Sequence, residues 1–377
     1  MRATGVGVFH WAERCGWCFP YAECPLTVEI VTRTATAELE RLYRDLAAAH
    51  LHPLWTIERD LLPSHPRPRA VPWVWRASEM YPLAERAIGA VPVDRGGERR
   101  ALSLGNPGLG GAPYAAGTLW GALQCLGPRE TAPAHRHTPG AIRFVLAGTG
   151  VWTTVNGDPC DMSPGDLVLT PSWQWHDHTN SGDGNMFWFD GLDLPIIEAL
   201  DAVFYEPYPE FAQAAGPRNQ SERRFSAAGN RLAAGSAGVL TPGPSPLLAY
   251  RWADTSAELA RLAGAGPADA AMVSVEFVNP QTGASVLPTL SCSMHRLIPG
   301  RATRPTRKTG NSIFVAFRGA GRTTVGGTRL DWDEGDMFVI PSWATAHHES
   351  PPGADLFELA DTPVLRALGL YREETPP

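Results

Sequence analysis

The feature that most constrains this 377-residue chain is an internal repeat: "IRFVLAGTGVWTTV" and "SPGDLVLTPSWQWHDH" return as "SIFVAFRGAGRTTV" and "DEGDMFVIPSWATAHH". A duplicated stretch of that length implies that one supersecondary unit was copied. From about residue 101 the pattern is short apolar runs such as "GTLWGALQCL" and "DLVLTPSW", broken by Gly, Pro, Asn and Asp. Such spacing predicts a compact β-fold, a closed or double-sheet barrel, present twice.

Other segments read differently. Leu39, Leu42, Tyr43 and Leu46 fall at helical spacing, which predicts an amphipathic helix over residues 36–49 with Thr36 as its N-cap. The proline-rich "LLPSHPRPRAVPWVW" that follows predicts an extended segment laid on another surface, anchored by Trp73 and Trp75. The expected organisation is an extension over 1–26, an arm over 27–100, a first barrel over 101–193, a connector over 194–275 and a second barrel over 276–377. The connector is rich in Ala, Gly and Pro and reads as partly helical around "SPLLAYRWADTSAELARL".

"HRH" places His135 and His137 on one face of an expected strand, with Arg136 on the other. His176 follows the Pro164-Gly165-Asp166 turn, which is expected to return the chain antiparallel beside them. Three neutral nitrogen donors on one side suit a metal with open positions. "HLH" at His50 and His52 has no such sequel and reads as chance. The repeat supplies a control, because the positions matching His135, His137 and His176 are Thr306, Lys308 and Ala346. A packing role alone gives no reason for the copies to differ just there. Hence one metal site is expected, in the first barrel, and a structural or dimer role for His347 and His348, which lack an HxH partner.

Net charge is −7 and the isoelectric point is near 5.9, so no basic field exists for nucleic acid or an anionic membrane. No apolar run spans a bilayer, and a cytoplasmic location is expected. Lys308 is the only lysine, which argues against Schiff-base chemistry. His10, Cys15, Cys18 and Cys24 cluster near the start with Cys-x-x-Cys ligand spacing; the reading preferred here is excess sequence ahead of a natural start near Leu26.

With "GTLWGALQCLGPRETAPAHRHTPGAIRF", "PGDLVLTPSWQWHDH" and "WFDGLDLP" in view, the chain from beyond its first segment resembles the gentisate, salicylate and 1-hydroxy-2-naphthoate 1,2-dioxygenases, most densely over 117–193. The resemblance implies an all-β-dominated fold of two cupin (double-stranded β-helix, jelly-roll) barrels with a helical arm and a partly helical connector. It implies Fe(II) on His135, His137 and His176. A substrate carboxylate, its ortho hydroxyl and dioxygen would share the remaining positions. The ring would open between the carbons bearing carboxylate and hydroxyl, gentisate giving maleylpyruvate.

By the same likeness Arg143 pairs with the substrate carboxylate, His178 and Asp190 sit by the hydroxyl, Trp120 and Ala122 wall the pocket, and Arg99 is a distal cation. Arg143 is six residues past His137 and shares its face if the strand runs straight. "TPGA" departs from the family at Pro139 and Gly140, which bears on ring substituents. The resemblance also implies a homo-oligomer, dimer or tetramer. Salicylate, a substituted salicylate and 1-hydroxy-2-naphthoate are the alternative substrates. The competing classes are a manganese decarboxylase or sugar isomerase, against which the absent Glu ligand and Arg143 argue, and a non-catalytic metabolite-binding pair of barrels.

Overall fold

In the computed structural model the described residues are 25–93, 100–225 and 244–376, with only the backbone described for 25–35, 59 and 60. Two units separate, residues 1–64 and 65–377. The first holds helices Pro25–Ala48 and Leu54–Leu61, tied by a hydrogen bond from Trp55 Nε1 to Tyr43 Oη. Thr36 therefore lies inside a helix that begins at Pro25, and the expected cap is corrected: proline starts a helix at no cost in donors because its first amides have no partner anyway. The His10, Cys15, Cys18 and Cys24 cluster lies outside the described residues. No described helix is long and apolar enough to cross a membrane.

The second unit is two antiparallel β-barrels. In the first, a six-stranded sheet runs in the order Ala249–Tyr250, Leu167–Thr170, Ala141–Ala147, Met186–Leu192, Trp120–Leu126, Ala101–Ser103. It faces a five-stranded sheet ordered Tyr205–Pro207, Thr131–His137, His176–Asn180, Val151–Val155, Asp158–Met162. The second barrel repeats the plan, with Met337–Ile340, Ser312–Gly319, Ala354–Ala360 and Ser291–Leu297 at the centre of its larger sheet.

Alternation along the strands divides the side chains. One face of the first barrel's larger sheet, including Val145, Val168, Met186 and Trp188, points into the barrel. The other, including Ile142, Phe144 and Phe189, packs on Ile313, Phe357 and Leu359 of the second. Phe144 stacks on Phe357 with centroids 4.2 Å apart. Gly191 permits this approach, since a Cβ there would stand 2.4 Å from the Leu359 side chain.

The duplication reaches further than the sequence reading saw. Strand Trp73–Trp75 adds to the edge of the second barrel's sheet, and Arg76 and Ala77 then hold Asp336: Arg76 donates to Oδ2 at 2.8 Å and the Ala77 amide to Oδ1 at 2.7 Å. Strand Ala249–Tyr250 adds to the first barrel, and Arg251 and Trp252 hold Asp166 by the same two bonds, 2.6 and 2.9 Å. Each is followed by a 14-residue helix, Ala77–Ala90 and Trp252–Ala265. The pieces read as arm and connector are thus copies of one strand–Arg–helix module, and each copy closes the barrel of the other half. Strands this short, three and two residues long, suit a sheet edge.

Candidate metal centre

Strand Thr131–His137 pairs antiparallel with His176–Asn180, and the register sets His135 directly opposite His176. His135 and His137 share a face by the period of two, so three imidazoles converge: centroids lie 5.7 Å (135–137), 4.3 Å (135–176) and 4.8 Å (137–176) apart. One ring nitrogen from each lies within 4.8 Å of the others, the only such group of His, Cys, Asp or Glu among the described residues.

The backbone fixes which nitrogen faces inward. His135 Nδ1 meets Pro133 O at 3.0 Å, His137 Nδ1 meets Pro139 O at 2.7 Å, and His176 Nδ1 meets Gln174 O at 3.0 Å. A carbonyl only accepts, so each Nδ1 carries the proton and each Nε2 presents a lone pair. His176 Nε2 is buried without a hydrogen-bond partner. Burial, then Arg143 and the neighbouring histidines, holds the His176 pKa well below 6.5, which keeps the imidazole neutral. An orphaned, neutral Nε2 beside two others of the same tautomer fits a resident metal ion and fits a packed apolar core poorly.

Facing the triad is a polar row. Ala122, Asp190, Arg143 and Val168 are register partners on four adjacent strands and so point the same way. Arg143 is buried, donates from Nη1 to Thr170 Oγ1, and leaves Nε without a partner; Asp190 Oδ1, 3.9 Å from that Nε, has none either. Burial lowers the Arg143 pKa, with Asp190 opposing, and raises that of Asp190, with Arg143 opposing. A charge pair this buried and this loosely joined has capacity left for a third group.

The expectation that Arg143 extends the strand of His137 is corrected. Strand Thr131–His137 ends there, the chain turns, and Ala141–Ala147 belongs to the opposite sheet. Gly140 in the turn gives its amide to Asp193 Oδ1 at 2.8 Å. Arg143 therefore meets the triad from across the barrel.

His178 is buried beside Trp188, its Nδ1 2.8 Å from Thr153 Oγ1, and burial followed by Arg143 lowers its pKa well below 6.5. Trp120 is half-buried and donates from Nε1 to Ser103 Oγ at 3.1 Å, while Ala122 is fully buried. Arg99 lies outside the described residues; its neighbour Arg100 is buried and pairs with Glu130. Three residues escaped the sequence reading. Thr153 was marked by "TTV", which both copies keep. Thr170 was marked by differing from Ile340 where Arg143 differs from Phe314. Tyr205, whose ring lies 5.4 Å from that of His135, gave no signal.

The cupin domain family model matches residues 122–192. The chain is 45% identical to gentisate 1,2-dioxygenase from Streptomyces sp., over 89% of this chain and 94% of the relative. It is 35% identical to 5-aminosalicylate 1,2-dioxygenase from Comamonas sp., over 89% and 90%. Among solved structures, salicylate 1,2-dioxygenase from Pseudaminobacter salicylatoxidans superposes with a TM-score of 0.83 at 42% identity, covering 89% of this chain and 97% of that one. A second structure of that enzyme, with gentisate, matches equally, TM-score 0.83.

Proposed function

This chain belongs to the gentisate, salicylate and 1-hydroxy-2-naphthoate 1,2-dioxygenase family, and on that premise we propose that it opens the ring of gentisate between the carbons bearing the carboxylate and the adjacent hydroxyl. The observation that carries the reading is the opposition, inside one barrel, of three Nε2 lone pairs and an unsatisfied buried Arg143–Asp190 pair. One side suits a metal and the other an acid.

His135, His137 and His176 would hold Fe(II), which when bound would supply the redox centre at which substrate and dioxygen meet. Neutral ligands leave its charge to be balanced by an anionic substrate. Arg143 binds the substrate carboxylate through its free Nε, the planar fork fixing the orientation of the acid. Asp190 steadies that guanidinium from 3.9 Å, and its unpartnered Oδ1 is placed to accept a proton from the hydroxyl. His178, fixed through Nδ1 by Thr153, offers Nε2 to the same hydroxyl. The methyl of Ala122 leaves room in the row for a ring, and Trp120 stands two residues away on the same face. Buried Val145, Val168 and Trp188 exclude water.

Gentisate is placed first because its second hydroxyl makes the ring easier to oxidise and because a gentisate-cleaving relative is 45% identical. The match to a salicylate enzyme at 42% favours salicylate as second reading. Oxygen uptake by anaerobically iron-loaded protein on gentisate, salicylate and 1-hydroxy-2-naphthoate tests the choice. Fastest uptake, matched by product, is expected with gentisate; no uptake from all three, with iron verified bound, would sink the ring-cleavage reading.

A further inference from the structure

The second barrel encloses a cavity of about 610 Å³, within the usual range of small-molecule pockets. It stands where the triad stands in the first. The Trp343 amide donates to Lys308 O at 2.7 Å as Trp173 does to His137 O at 2.8 Å, and Thr306 bridges to Ala346 as His135 pairs with His176. Thr306, Lys308 and Ala346 thus occupy the three ligand positions, and the chain's single lysine takes the place of His137.

The charges on the cavity floor are not equally available. Glu358 accepts from Lys308 Nζ at 2.7 Å, from Ser312 Oγ at 2.6 Å and from His295 Nε2 at 3.0 Å, so its oxygens are committed. Lys308 has three ammonium hydrogens and gives one to Glu358. His348, which lines the cavity, is 9% exposed. Its Nδ1 lies 2.8 Å from Thr323 Oγ1, and that oxygen already accepts from Trp332 Nε1 at 2.9 Å. Thr323 Oγ1 has no other acceptor for its own hydrogen, so that hydrogen goes to Nδ1, and His348 carries its proton on Nε2, which has no hydrogen-bond partner. Burial and then His295 push the His348 pKa down to about 3, so it is a neutral donor.

Two donors thus face the space beside the Thr306 hydroxyl, one of them cationic, and the carboxylate on the floor, Glu358, already accepts from three groups. Arg304, Asp269 and Glu373 lie on the exposed rim. The walls are apolar: Phe314 and Ile340 replace Arg143 and Thr170 of the first barrel, and Leu356 joins them. We propose that this cavity is a second ligand site, separate from the metal centre, that takes a small carboxylic acid with a flat apolar body of benzoate size, its carboxylate on Lys308 Nζ and His348 Nε2. The ammonium supplies here the positive charge that a metal supplies in the other copy.

Fluorobenzoate titrated into the iron-loaded full chain and followed by fluorine NMR tests this. Two saturable sites per chain are expected, one of them surviving Arg143→Ala. That surviving site is expected to weaken roughly tenfold or more when its charge-assisted bonds are removed by Lys308→Met with Glu358→Gln. Ala346→Phe, which fills the space and leaves every charge in place, should weaken it likewise, with gentisate turnover unchanged in both variants. A single site in the wild-type chain, or a second site whose affinity neither variant alters, overturns the proposal.

Discussion

At the residue scale the centre is built by subtraction as much as by placement. His176 Nε2, Arg143 Nε and Asp190 Oδ1 are three polar atoms fully shut off from solvent and left without partners, and among the described side-chain atoms shut off to that degree only Trp188 Nε1 shares the condition. Leaving such atoms unpaired costs stability unless a ligand completes them. Two substitutions separate their roles. His137→Ala should abolish iron binding, read as metal per chain. Arg143→Ala should keep the iron and lower kcat/KM for carboxylate substrates by roughly 30-fold, about 2 kcal/mol for a hydrogen bond to a charged group. Arg143→Ala protein that turns over gentisate normally would remove the guanidinium from the account. The three histidines were legible from residue type and spacing; Arg143 and Asp190 were named through the resemblance to the family, and spacing alone put Arg143 on the wrong strand. Thr153 and Thr170 were not, since a lone threonine in a strand signals packing as readily as a hydrogen bond. Comparison of the two copies position by position held that information.

At the scale of elements, the exchange of strand–Arg–helix modules explains why one face of each barrel needs the other half of the chain. Asp166 accepts the Arg251 guanidinium, the Trp252 amide and, at 3.2 Å, the Ser163 amide; Asp336 does the same for Arg76, Ala77 and Asp333. Asp166→Ala should destabilise the protein by about 3 kcal/mol, the scale for breaking a buried pair. Asp336→Ala should cost less, because Arg76 is 41% exposed against 22% for Arg251. Thermal unfolding of the two variants checks the order, and the reverse order would contradict it. The barrels themselves were visible in the sequence as duplicated strands and turns. The swap was not, because the two modules share an arginine and a helix and little else, and nothing in a local pattern says which sheet an edge strand will join.

For the whole molecule, the two barrels differ in how they carry charge: one presents the three imidazoles opposite Arg143 and Asp190, and the other holds Lys308, Glu358 and His295 in its floor. Burial would raise the Glu358 pKa, but Lys308 and His295 outweigh it and hold it well below 4.5. A depressed carboxylate stabilises the fold above its unfolded value and loses that contribution as pH falls through the folded one. His348, near 3 when folded against 6.5 ordinarily, also leaves the unfolded chain binding the extra proton below about 6.5. Stability should therefore decline from about pH 6.5 downward and more steeply below 4.5, with Glu358→Gln removing only the lower portion. Chemical denaturation at stepped pH measures this; an unchanged acid limb in the variant would contradict it.

The most direct test of the central claim is the identity of the product formed from gentisate by the iron-loaded enzyme under oxygen. Cleavage between the carboxylate-bearing and hydroxyl-bearing carbons gives maleylpyruvate, with oxygen consumed in equal amount, and this is the predicted result. A product opened at any other bond, or gentisate recovered intact with iron bound at His135, His137 and His176, would contradict the account.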